Sequence, residues 1–139
     1  MKKEFQDYLN EGNAYNKKDE FEKSIESYTK AIEINPNSSD AYCDRGSSKM
    51  ELENIFGAIK DYSKAIRINP KCETTYINRG LTKYELNFVD DAIDDFTKAI
   101  EINPTNYFSY LKRGMAKYRL GNREGSKKDI AIYDQKICL

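Results

Sequence analysis

Phe5, Tyr8, Leu9 and Tyr15 recur at the spacing of one helix face, and Phe21, Ile25, Tyr28 and Ile32 follow at i, i+4, i+7 and i+11. This pattern predicts one helix over 4–17 and a second over 20–34. Pro36 ends the second, because proline disfavours the helical conformation at Asn35 and has no amide hydrogen to donate. Equivalent pairs are predicted over 39–52 and 55–68, closed by Pro70, and over 73–86 and 89–102, closed by Pro104. A last pair over 107–120 and 123–137 has no closing proline. Ser39 or Asp40, and Thr105 or Asn106, suit the N-caps of the helices they begin. The turn inside each pair needs a residue that tolerates the left-handed region; Asp19, Asn87 and Gly121 meet that need and Glu53 does not.

The pairs repeat in their residues as well as in their pattern. SIESYTKAIEINP at 24–36, AIKDYSKAIRINP at 58–70 and AIDDFTKAIEINP at 92–104 stand 34 residues apart, a period that marks stacked helical repeats. Aligning the units places Tyr8, Tyr42, Tyr76 and Tyr110 in one column and Gly12, Gly46, Gly80 and Gly114 in another. A mid-helix glycine costs about 1 kcal/mol relative to alanine, so its recurrence predicts close helix packing. Ser24, Ala58, Ala92 and Ser126, with Ala31, Ala65 and Ala99, supply further small contacts beside the large rings of Tyr28, Tyr62 and Phe96.

The pattern resembles the tetratricopeptide repeat: an aromatic early in the unit, a glycine four residues later, two small residues in the second helix and a proline near the end. The resemblance spans nearly the whole chain and implies an all-α fold, a right-handed superhelical α-solenoid of four antiparallel helix pairs, about eight helices, as a single domain over 1–139 with repeats at about 5–38, 39–72, 73–106 and 107–139. It also implies a concave groove, lined by first helices, that binds a peptide segment of a partner protein. The groove positions here include Asn13, Met50, Ile77, Asn78, Leu81, Tyr84, Phe108, Leu111, Lys112, Met115 and Tyr118. Its first half is polar, with Asp40, Cys43, Asp44 and Ser47 among the positions, and its second half is apolar and aromatic. Tyr84, Phe108 and Tyr118 are the expected ligand contacts, while Leu81 and Leu111 suit helix packing equally well. One subclass of that family clamps the C-terminal carboxylates of heat-shock chaperones with lysine, asparagine and arginine. The corresponding positions here are Leu9, Asn13, Asp44, Thr74 and Asn78, where only Asn13 matches and Asp44 would repel a carboxylate. A chaperone tail is therefore not the expected ligand.

Two departures between repeats are informative. Arg45, Arg79 and Arg113 precede the column glycines, and Asp61, Asp95 and Asp129 share a second-helix column, whereas the first repeat has Glu11 and Ser27 and so lacks both. Joint loss predicts structural ion pairs inside each repeat: Arg45 with Asp61, Arg79 with Asp95, Arg113 with Asp129. In the last helix Lys127, Asp134 and Lys136 replace isoleucines of the earlier repeats, the polar face expected of a terminal cap. Ile132, Tyr133, Ile137 and Leu139 leave some apolar surface there, so homo-oligomer assembly through the terminal helix is the alternative to a foreign ligand.

Composition narrows the function classes. The chain has 23 Lys plus Arg against 23 Asp plus Glu, which gives nucleic acid or an anionic membrane no net field to follow. It has no histidine, which removes the usual general base and the commonest zinc ligand. No nucleophile–base constellation or glycine-rich phosphate loop is present, so a non-enzymatic module without cofactor or metal is expected. Cys43, Cys72 and Cys138 are odd in number and at no metal-like spacing, in keeping with reduced thiols. No apolar run approaches a membrane span or a signal peptide, so a cytoplasmic protein is expected.

Overall fold

The computed structural model describes residues 1–138, which form eight helices and, among the described residues, no strand. They are α1 (Phe5–Lys17), α2 (Phe21–Ile34), α3 (Ser39–Glu51), α4 (Ile55–Ile68), α5 (Glu73–Glu85), α6 (Val89–Ile102), α7 (Tyr107–Arg119) and α8 (Arg123–Ile137). Contacts gather them into two compact units, Met1–Pro70 and Lys71–Leu139. In the first, α1 packs along α2 and α3 along α4, and α2 joins the two hairpins by lying against α3. In the second, α5 pairs with α6, α7 with α8, and α6 lies against α7. The fold is the all-α arrangement of consecutive helix pairs that the repeated words imply.

One turn geometry serves all four hairpins. Asp19, Glu53, Asn87 and Gly121 have φ of 59°, 59°, 66° and 83°, so Glu53 enters the left-handed region like its counterparts. Its turn is fixed from both sides: the Asn54 amide donates to the Lys49 carbonyl at 2.8 Å, as Phe88 does to Lys83 at 2.9 Å. These bonds satisfy the last carbonyls of the first helix, and their requirement outweighs the side chain's preference. The N-cap of α7 falls on Asn106, one of the two expected residues, and that of α3 lies one residue before the expected pair. Ser38, not Ser39 or Asp40, caps α3 by accepting from the Ala41 amide at 3.2 Å. Asn106 occupies the N-cap of α7 without a side-chain bond, and Asn103 accepts from the Thr105 amide instead, at 3.1 Å.

The glycine column marks where the helices of a hairpin meet. A Cβ on Gly12 would lie 2.6 Å from the Tyr28 ring, and one on Gly80 2.8 Å from Phe96. Tyr28, Tyr62 and Phe96 are buried at these contacts, and Ile130 takes the place of the ring opposite Gly114.

Beside each of the last three glycines sits a charged centre. Arg45, Arg79 and Arg113 donate to Asp61, Asp95 and Asp129, whose carboxylates are buried. Each aspartate also meets a lysine one helical turn after its arginine: Lys49 at 2.8 Å, Lys83 at 3.0 Å and Lys117 at 2.8 Å. The guanidinium lies over the column tyrosine, Tyr42, Tyr76 or Tyr110, at 5.5 to 5.8 Å. It also reaches the preceding repeat, from Arg45 Nη1 to Thr29 at 3.1 Å and from Arg113 Nη1 to Thr97 at 3.3 Å. The first repeat substitutes a lighter link, in which the Ser27 hydroxyl donates to Glu11 at 3.1 Å.

Candidate functional site

In the first unit, side chains from α1, α2 and α3 converge on one cavity of about 220 Å³, lined by Asn13, Asn16, Lys17, Tyr28, Asp44 and Ser47. Its walls are held in place by hydrogen bonds. Tyr28 donates to Asn13 Oδ1 at 2.7 Å, and Asn16 donates through Nδ2 to the Ser48 hydroxyl at 2.9 Å. Ser48 is buried and also bonds Ser24 at 2.9 Å, which ties α1, α2 and α3 together beneath the cavity. The Ser47 hydroxyl lies 3.2 Å from the Tyr62 hydroxyl.

Asp44 is the charged group set into this wall. Burial, with the nearby Asp40 adding to it, pushes its carboxyl up to about 6. Burial likewise pushes the Tyr28 phenol up to about 12, with Asp44 contributing. Among the described residues, no lysine or arginine nitrogen lies within 4.0 Å of the Asp44 carboxylate, although Lys17 lines the same cavity.

In the second unit the corresponding surface is apolar. Phe108, Lys112, Met115 and Tyr118 follow one face of α7 at i, i+4, i+7 and i+10. Phe108 is 41% exposed, Met115 40% and Tyr118 63%, and the Lys112 ammonium stands over the Phe108 ring at 5.0 Å. Exposed apolar side chains in one stripe are the kind of surface that partner side chains cover.

The structure separates the other expected groove residues. Ile77 is only 8% exposed and belongs to the core, so it offers no ligand surface. Leu81 and Tyr84 pack against Val89, Ala92, Phe96 and Ala116, and Arg119 covers the Tyr84 ring at 4.8 Å. Tyr84 is thus largely committed to packing, which sets it apart from Phe108 and Tyr118. Met50, Asn78 and Leu111 are half-buried, and Asn13 stands at the polar cavity. Sequence reasoning passed over Asn16, Tyr28 and Asp44 as a combined site. The signal was the column Asn10, Asp44, Asn78 and Lys112, which reads amide, anion, amide and cation from repeat to repeat.

At the last helix, Lys127, Asp134 and Lys136 are exposed, as are Ile132 and Ile137. Ala131 stands where Thr29 and Thr97 accept the next repeat's arginine. Among the described residues no helix is long and apolar enough to cross a membrane, and no group of His, Cys, Asp or Glu is gathered as a metal ion would need.

Comparison with curated proteins finds no match. The structure is similar to a crystal structure of MamA, with a TM-score of 0.92 and 26% identity over 95% of this chain and 77% of that one. It is similar to the Arabidopsis OM64 TPR domain, with a TM-score of 0.80 and 27% identity over 83% and 95% of the two chains. The first TPR of Spaghetti (RPAP3), bound to the HSP90 peptide SRMEEVD, shares the fold with a TM-score of 0.82 and 22% identity over 85% and 94%. A TPR repeat model matches residues 12–53, and a tetratricopeptide repeat model matches 39–72 and again 73–106. With both the repeat sequence and the helix-pair fold in agreement, the chain belongs to the tetratricopeptide repeat family.

Proposed function

We propose that the chain is a non-enzymatic scaffold that binds a peptide segment of a partner protein on the exposed faces of its first helices. The observation that carries this reading is the α7 stripe of Phe108, Met115 and Tyr118, side chains that stay exposed while Leu81 and Tyr84, the α5 counterparts of Met115 and Tyr118, are packed away. Helical repeats of this family are protein-interaction scaffolds, and one similar fold holds an HSP90 peptide. The acidic ending of that peptide does not suit this chain, because Asp44 occupies a clamp position and Leu9 another. The ligand we favour has apolar anchors for α7 rather than a carboxylate tail.

Panning a random-peptide phage library against the whole chain tests this, with a Phe108→Ala, Tyr118→Ala double variant as the parallel bait. Both side chains are well exposed, so the variant keeps its fold. Sequences enriched on the wild type and lost on the variant support the reading. Equal enrichment on both contradicts the α7 face, and no enrichment on either contradicts peptide binding itself. A second reading, self-association through α8, is favoured by the exposure of two of its isoleucines, Ile137 at 59% and Ile132 at 36%. Sedimentation distinguishes it by a mass above one chain.

A further inference from the structure

Asp44 is a half-buried carboxylate with nothing to balance it. A charged group withdrawn from water is costly unless an opposite charge or hydrogen bonds compensate it. Elsewhere this chain supplies that compensation generously: Asp61, Asp95 and Asp129 each receive an arginine and a lysine. At Asp44 the fold supplies neither, and the neighbouring Asp40 adds to the cost.

Nor does the repeat require a carboxylate there. The same column holds Asn10, Asn78 and Lys112, so an amide or a cation is accommodated by the same helix face. Two repeats further along, Leu81, Phe96, Lys112 and Met115 stand where this cavity has Asn13, Tyr28, Asp44 and Ser47. One architecture therefore carries an apolar surface bearing a cation in the second unit and a polar cavity bearing an anion in the first. The difference lies in the lining side chains.

The acceptors converge. Asn13 and Tyr28 are locked to each other, and the Tyr28 oxygen, the Ser47 hydroxyl and the Asp44 carboxylate all line a space of about 220 Å³. That space holds several waters at about 30 Å³ each, or one ammonium or guanidinium head with part of its stem. Lys17 shares the lining but is exposed, and its ammonium makes no ion pair with Asp44.

We propose that the cavity of Asn13, Tyr28, Asp44 and Ser47 is a pocket for a basic side chain, a lysine or arginine of the partner's peptide segment. This rests on the reading of the chain as a peptide-binding scaffold and concerns the first unit by itself. The incoming cation replaces the missing counter-charge, and the neutral oxygens around it accept its remaining hydrogens. A carboxylate or phosphate is repelled at the same place.

The test uses peptides selected from the random library on the wild-type chain. A lysine or arginine recurs at one fixed position among them, and replacing it with norleucine in the synthetic peptide weakens binding about tenfold or more. Asp44→Asn weakens the parent peptide by a similar factor and leaves the norleucine peptide unchanged, so the two changes do not add. The asparagines of the same column show that this variant folds. Selected peptides without a fixed basic position, or equal affinity of wild type and Asp44→Asn, overturn the pocket while leaving the α7 reading intact. A library that yields no binder at all overturns both.

Discussion

Arg113 holds both carboxylate oxygens of Asp129 at once, with Nε to Oδ2 at 2.8 Å and Nη2 to Oδ1 at 2.7 Å. The same fork joins Arg45 to Asp61 and Arg79 to Asp95. Burial alone would raise the Asp129 carboxyl, but the bonds from Arg113 and Lys117 outweigh it and hold it below the ordinary value of 3.8. Removing one partner of such a centre strands a buried charge, so Arg113→Leu destabilises by about 3 kcal/mol, the lower end of the usual range because Lys117 remains. Lys117→Leu costs less, since both arginine bonds survive. Lys128→Leu, at an exposed position, stays within about 0.5 kcal/mol of wild type. Urea denaturation orders the three. The sign with pH follows: a depressed carboxyl stabilises above its unfolded pKa and loses that contribution in acid, so the Arg113→Leu deficit shrinks below about pH 4.

Asp44 behaves oppositely. Its folded carboxyl titrates near 6 against an ordinary 3.8, so between those values the folded state binds the extra proton and stability falls as pH rises. Asp44→Asn removes that loss. The variant melts higher than wild type at pH 7, by up to about 2 kcal/mol, and the two converge near pH 4. A variant less stable at pH 7 would show that the carboxylate serves the fold.

Glu53 sits at φ 59° with no side-chain reason to be there. Asparagine tolerates this region better and already occupies the equivalent Asn87, so Glu53→Asn stabilises by about 0.5 kcal/mol in thermal or urea melts.

Gly80→Ala sets two effects against each other. Alanine gains about 1 kcal/mol of helix propensity. Its Cβ, however, would stand 2.8 Å from the Phe96 ring and 3.2 Å from Asp95 Cβ, in a buried contact that cannot open freely. Overpacking of this kind costs about 1–3 kcal/mol and wins, so the variant is less stable by a net amount of about 1 kcal/mol. Calorimetry reads the sign directly.

Much of this fold is legible because the chain states its pattern three times. The bounds of α4, α6 and α8 follow from periodicity and turn chemistry residue for residue. The cap of α3 shifts to Ser38 because Ser38, Ser39 and Asp40 can all accept an amide hydrogen, and only the backbone's entry angle decides among them. The lysine in each ion centre is written in the column Tyr15, Lys49, Lys83 and Lys117, where the first repeat departs once more. The arginine and aspartate columns alone do not reveal it, although Lys83 bonds Asp95 at 3.0 Å. The division between Tyr84 and Tyr118 was not legible, because both share one column and only the packing around Val89 and Phe96 distinguishes them.

The most direct test of the account is an amide chemical-shift map of the whole chain titrated with a library-selected peptide. Peptide binding on the first-helix face of α7 predicts perturbations along Phe108, Met115 and Tyr118. Perturbations confined to α2, α4, α6 and α8 would contradict it.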